Sequence, residues 1–374
     1  MDVKSSVLER YSEGAKEQQA DLCCPVDYNT DLLKMLPKEI LDRDYGCGDP
    51  SRYVRNGDTV LDLGSGGGKI CYIAAQLVGE SGHVIGIDMN NDMLNLACEY
   101  KADMAEKIGG DRVSFHYGHI QDLALDLNAA EEYLKDKPIQ TKEDLELFDT
   151  WQRNQKRNKP LIEDNSVDLI VSNCVLNLVD DTQKSQLISE IFRVLKPGGR
   201  IAISDIISDE YVPAEMKADP ELWSGCISGV FQEKEFLQKI LDIGFYAVAY
   251  DKWDQTPWKT IDNIEFRSVT LTAVKPQLGT ELDQGHTVIY KGPFESVTDD
   301  KGYEFDRGDR IAVSNEHFNV LRASSCSDDF VFIEPKDIPC CAPTWDPSMF
   351  ALRKISDSKI GESASANNNT SCCG

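Results

Sequence analysis

The sequence predicts a doubly wound α/β sheet followed by a small β-rich domain. Between residues 58 and 274 short apolar runs alternate with stretches of helical periodicity, the pattern of a parallel sheet with crossover helices. The first run closes on a glycine-rich turn, Gly64 to Gly68, and the second ends on an acid, Asp88. Beyond Pro276 the pattern changes to short alternating runs split by turn residues.

Along the chain, residues 1–24 read as a polar helix ending at Cys23-Cys24-Pro25. Residues 58–64 fit a buried parallel strand and 70–77 the helix behind its turn. A second strand is expected at 83–88, a helix over 93–108 and a third strand at 113–117. Residues 121–163 interrupt the rhythm with charged, helix-favouring sequence, an insertion to which no chemistry is assigned. The rhythm resumes with a strand at 166–172, a helix at 182–195, the break Lys196-Pro-Gly-Gly199 and a strand at 200–204. Residues 205–262 are expected to carry a substrate lid, and 247–250 and 268–274 the last strands. The β-rich domain is expected over 280–340, and 341–374 as a flexible tail containing cysteines.

Of the 374 residues, 39 are Lys or Arg and 64 Asp or Glu, a net charge of −25. Such a surface repels phosphate backbones and anionic lipid, so neither nucleic acid nor a membrane is an expected partner. The N-terminal stretch does not read as a signal peptide, and no apolar run reaches the ~18 residues of a membrane span, so a cytoplasmic protein is expected. Twelve cysteines are many for a reducing compartment. They point to ion binding, redox chemistry or burial.

A glycine-rich turn between strand and helix lets a ligand approach the backbone and meet helix N–H groups. Asp88 lies 24 residues after Gly64, where an acid can accept both ribose hydroxyls of an adenosine. The nicotinamide fingerprint fails because Lys69 occupies its last glycine position, and no Lys-Ser/Thr pair completes a phosphate loop. The segment Asp62-Leu-Gly64-Ser-Gly66-Gly-Gly-Lys69 resembles motif I of S-adenosylmethionine-dependent methyltransferases. Leu195-Lys-Pro-Gly-Gly199 resembles the turn before their fifth strand. The resemblance implies a Rossmann-like methyltransferase sheet over 1–276, S-adenosylmethionine as cofactor, and Asp62, Gly64, Gly66 and Asp88 as its binding residues.

Parallel sheets build their sites beyond the C-terminal strand ends, and Cys71 and Cys174 map there. Cys71 lies in the first turns of the helix after the glycine-rich loop, where the helix dipole is expected to lower a thiol pKa. Cys174 directly follows the fourth strand, Cys226 lies in the excursion after the fifth, and Cys47 precedes the first in a turn-like segment. Cys98, on a helix, reads as a core residue. The wide intervals between cysteines do not fit a structural zinc site, and the adjacent pairs Cys23-Cys24, Cys340-Cys341 and Cys372-Cys373 read equally as incidental or as thiophilic-ion capture. The five histidines form no ligand spacing, and no nucleophile elbow is present.

Tyr45-Gly-Cys47-Gly, Cys71-Tyr, Ser172-Asn-Cys174-Val-Leu-Asn-Leu and Leu222-Trp-Ser-Gly-Cys226 together resemble the arsenite S-adenosylmethionine methyltransferases, from about residue 25 to the end of the sheet. The resemblance implies methylation of trivalent arsenic that arrives as a thiol conjugate, with Cys174 and Cys226 as arsenic ligands. Cys47 and Cys71 would form a thiol–disulfide relay, reopened by a reductant such as thioredoxin or glutathione. Thiolates suit the chemistry: they hold a soft pyramidal ion and leave its lone pair free to attack a sulfonium methyl group. Two other readings remain open on the residues alone. One is methylation of an organic small molecule with the cysteines incidental; the other is non-catalytic sequestration of arsenite or a metal.

Overall fold

The computed structural model describes residues 3–17, 26–277, 279–336 and 341–359, which form two compact units, Met1–Pro276 and Gln277–Gly374. Cys23, Cys24, Cys340, Cys372, Cys373 and the tail beyond residue 359 lie outside the described residues.

The first unit is built on β1 (Thr59–Leu63), β2 (His83–Asp88), β3 (Val113–Tyr117), β4 (Val167–Asn173) and β5 (Leu195–Ser208), all parallel. β6 (Phe231–Gln232) pairs with the end of β5. β7 (Tyr246–Trp253), β8 (Lys259–Ile261) and β9 (Ile264–Val274) add the antiparallel edge, and the main order is β3-β2-β1-β4-β5-β9-β7. The sheet carries apolar packing on both faces: Val60 joins one buried cluster, Leu61 and Leu63 the other. That double burial explains why the strand reads as an almost unbroken apolar run. The winding reverses between β1 and β4, so the loops leaving these two strands face one crevice.

Several expectations are refined. The single helix expected over 93–108 is two, Asn91–Glu99 and Lys101–Ile108, separated at Tyr100. Cys98 is exposed rather than in the core, because Met93, Leu94, Leu96 and Ala97 take the buried face of its helix. β5 already begins at Leu195, with Gly198 in the left-handed region, so the Pro-Gly-Gly break sits inside a strand. The insertion at 121–163 contains two helices, Leu127–Asp136 and Lys142–Asn158, the second opened by a Thr141/Asp144 capping box. Tyr133, Phe148 and Trp151 hold the pair together. In the expected lid, β5 extends to Ser208 and the sheet resumes at β6, so 209–230 is the part that leaves it.

The second unit has a three-stranded sheet, β13 (Ile311–Ala312), β10 (Thr287–Tyr290) and β14 (Phe330–Ile333), and a hairpin of β11 (Ser296–Thr298) and β12 (Glu304–Asp306). A helix at Asn315–Ala323, unforeseen in the alternating pattern, buries Phe318 and Leu321 against the β10 residues Val288 and Tyr290. Residues 341–359 are not a free tail. Thr344 bridges to Leu282, Leu352 to Ile311, Trp345 is buried, and Arg353 pairs with Asp283 at 2.8 Å. Among the described residues, no helix is long and apolar enough to cross a membrane.

Candidate active site

The loop after β1 turns on backbone bonds, with the Gly64 and Ser65 N–H groups both donating to Ile87 O at 2.8 and 2.9 Å. Gly64 sits at φ 73°, and a Cβ there would lie 2.4 Å from Val175, so only glycine lets the β1 and β4 loops approach. Asp88, at the end of β2, accepts from Gly66 N through one oxygen and Asn90 N through the other, each at 2.8 Å. Asp62 is buried in β1, and burial pushes its carboxyl up to about 7. The four expected cofactor residues therefore share one cavity of about 690 Å³, which Cys174 and Tyr11 also line.

That cavity suits a polar, cationic ligand of nucleotide size. Ser65 Oγ is buried there without a hydrogen-bond partner, and Asp62 and Asp88 supply carboxylates. A carboxylate has about four lone-pair sites, so Asp88 keeps capacity for ribose hydroxyls after serving the two amides. These residues fit the adenosyl cofactor that motif I implies.

The cysteines divide differently from the expectation. Cys47 and Cys174 form a disulfide with a Cα–Cα distance of 5.9 Å. Cys226 Sγ lies 3.4 Å from Cys174 O, and all three belong to one apolar cluster with Ile206, Met216, Ile227, Val230 and Phe266. Cys71 is elsewhere, in the cluster behind β1 and β2, where its thiol donates to Asp62 Oδ2 at 3.3 Å. The relay pair expected between Cys47 and Cys71 is thus not the pair that is joined. Nor is Cys71 activated by the helix dipole: burial, with Asp62 beside it, pushes its thiol pKa up.

Cys174 and Cys226 both adopt φ 59°, a left-handed backbone that costs a non-glycine residue about 1–3 kcal/mol. Packing must hold them there. Cys174 N donates to Ser204 O at 2.8 Å, and the next residues are pinned by Asp205, which accepts from Leu176 N and Asn177 Nδ2. Cys226 follows the short helix Pro220–Ser224, N-capped by Asp219.

Three residues that the sequence reading passed over organise this centre. Asn173 Oδ1 accepts from Cys47 N and Gly48 N at 2.9 and 3.0 Å, while its Nδ2 donates to Gly48 O, so one side chain clamps the Cys47 turn onto β4. Gly46 is required there, since a Cβ would meet Asn173 Nδ2 at 2.1 Å. Asp205 places a carboxylate oxygen within 4.8 Å of both disulfide sulfurs, and burial raises it to about 7. Tyr11, on the N-terminal helix Val3–Gly14, lies 3.7 Å from Cys226 Sγ. Its pKa is raised by burial, so the hydroxyl keeps its proton. The position of Asn173 beside Cys174 was a local signal; nothing near Tyr11 pointed to a residue 215 positions away.

A methyltransferase-domain family model matches residues 55–156 and 152–244, and a domain of unknown function, DUF8838, matches 277–362. The chain is 31% identical over 332 residues to an arsenite methyltransferase of Mus musculus, covering 84% of this chain and 77% of that one. It is 30% identical over 338 residues to an arsenite methyltransferase of Aquipseudomonas alcaligenes, covering 86% and 87%. A crystal structure of an arsenic(III) S-adenosylmethionine methyltransferase from Chlamydomonas reinhardtii matches with a TM-score of 0.55 and 25% identity, over 86% of this chain and all of the other.

Proposed function

The chain belongs to the arsenite methyltransferase family, and on that premise we propose that Cys174 and Cys226 hold the arsenic while Cys47 supplies the reducing thiol. The protein is an S-adenosylmethionine-dependent arsenite methyltransferase. S-adenosylmethionine supplies an electrophilic methyl group on a sulfonium. The Cys174 and Cys226 thiolates take trivalent arsenic from its thiol conjugate and fix its lone pair toward the cavity, so the reaction is accelerated mainly by placement. No general base is required of the chain at this step.

The arsenic lone pair would form the As–C bond as the sulfonium S–CH3 bond breaks and its electron pair leaves with the thioether sulfur, so the metalloid ends oxidised by two electrons. The Cys47 thiolate then attacks Cys174 sulfur; the As–S bond breaks, and its electron pair returns to arsenic as a lone pair. The Cys47–Cys174 disulfide is the product of that step, and its presence beside Cys226 is the observation that carries the reading. A dithiol such as thioredoxin, or glutathione, reopens it by thiolate exchange. A relay through Cys71 would require that thiol to leave Asp62, so we assign Cys71 to holding the Asp62 carboxyl instead. A cytoplasmic location suits this scheme, because the pair must be reduced after each turn.

The test is chromatography of arsenic species after incubation with arsenite and S-adenosylmethionine. With a dithiol present, methylated arsenic accumulates over many turnovers. Protein oxidised at Cys47–Cys174 and given no thiol is expected to yield none; full turnover under that condition refutes the disulfide's role.

Asp88→Ala is expected to weaken S-adenosylmethionine binding by ten- to a hundredfold or more, since hydrogen bonds to a charged acceptor are worth about 1.5–3 kcal/mol each. The loss has two sources, the ribose contacts and the released Gly66 and Asn90 amides. Calorimetry reporting parent affinity would remove Asp88 from the site.

A further inference from the structure

The N-terminal helix Val3–Gly14 touches both halves of the centre. Lys4, Val7, Leu8 and Tyr11 recur at helical spacing and line the cofactor cavity. The helix is tied to the β2 end of the sheet by Asn90 Nδ2, which donates to Leu8 O and Ser12 Oγ at 3.3 and 3.1 Å. On the other side it is tied to the Cys226 segment: Arg10 donates to Glu221 O and Ser224 Oγ, both at 3.2 Å, and Ser6 Oγ to Pro220 O. Between these anchors the Tyr11 ring packs edge-on against Tyr45, two residues before Cys47, with its hydroxyl on Cys226 Sγ.

We propose that Tyr11 is a positioning residue for arsenic capture, its hydroxyl donating to the Cys226 thiolate and fixing the direction from which that sulfur meets the ion. The inference rests on Cys226 being an arsenic ligand. Cys226 Sγ donates to Cys174 O at 3.4 Å and lies 3.7 Å from Tyr11 Oη. Both groups are fixed, the hydroxyl by its ring packing on Tyr45 and the carbonyl by the Cys174 backbone bond to Ser204, so the sulfur is held against them. The hydroxyl thereby selects a rotamer of Cys226, and with it the sulfur–sulfur span offered to the ion. Because the same helix roofs the cofactor cavity, the thiolate and the methyl donor are located by one rigid element.

The experiment uses the full chain, reduced, with Tyr11→Phe, which keeps the ring on Tyr45 and removes only the oxygen. Arsenite binding is followed by fluorescence of Trp223, three residues from Cys226, and S-adenosylmethionine binding by calorimetry. Tyr11→Phe is expected to weaken arsenite about tenfold, the size of a lost hydrogen bond to a charged group. KM for arsenite should rise in step, kcat should change less, and cofactor affinity should stay within about twofold. In a Cys226→Ala background the same substitution should change nothing further, because the hydroxyl's partner is gone. Parent arsenite affinity in Tyr11→Phe, an equal loss in both backgrounds, or a parallel fall in cofactor affinity overturns the proposal. Parent arsenite affinity in Cys226→Ser alone overturns the thiolate reading itself, a separate outcome read from a separate variant.

Discussion

Cys174→Ser and Cys226→Ser are each expected to abolish arsenite methylation while S-adenosylmethionine still binds. Serine is nearly isosteric, but its oxygen is hard and remains protonated at neutral pH, so it does not replace a thiolate on a soft ion. The remaining ligand leaves arsenic free to pivot, and an error of about 1 Å in placement costs on the order of a hundredfold in rate. The glycine-rich loop and Asp88 are held by backbone bonds that neither cysteine makes, so cofactor affinity serves as the folding control. The measurement is single-turnover methylation. Serine variants that bind cofactor and methylate arsenite at the parent rate would sink the assignment; so would a parent that ignores arsenite and methylates an organic acceptor.

Cys47→Ser is expected to separate binding from turnover. Arsenite affinity should persist, since Cys174 and Cys226 remain, and the first methyl group should be transferred. Continued cycling should fall by at least tenfold, because the one neighbouring cysteine left, Cys226, is itself an arsenic ligand and no other thiolate replaces Cys47 in attacking Cys174 sulfur. High concentrations of external dithiol should restore part of the rate by attacking from solution, less effectively than a thiol held within the protein. Loss of arsenite binding in this variant would make Cys47 a primary ligand instead.

The fold and the cofactor loop were legible because their signals are local. Asp62 to Lys69 specifies strand, turn and helix within eight residues, and Asp88 closes the next strand. The cysteine chemistry was legible only as a set of candidates. Cys47 and Cys174 are 127 residues apart, and their pairing depends on Asn173 clamping the Cys47 turn, a long-range contact that no periodicity encodes. Cys71 misled because a helix N-terminus predicts a lowered thiol pKa, and desolvation beside a carboxyl outweighs the dipole. Polar composition also mistook 341–359 for a tail, since one buried tryptophan and one Arg–Asp pair are enough to dock a segment that averages as hydrophilic.

The apolar nest around the three cysteines bears on which solutes reach them. Ile206, Val212, Ile227, Val230 and Phe266 offer no hydration to an incoming charge. Trivalent arsenic carries no charge of its own as the hydroxide or bound to thiols, so it passes between ligands by exchange without a tightly held hydration shell. Arsenate and phosphate are oxyanions and would have to surrender their hydration shells to oily walls, in a protein whose net charge of −25 already repels them. Apolar walls therefore make a hydrated oxyanion costlier to admit than a neutral arsenic species.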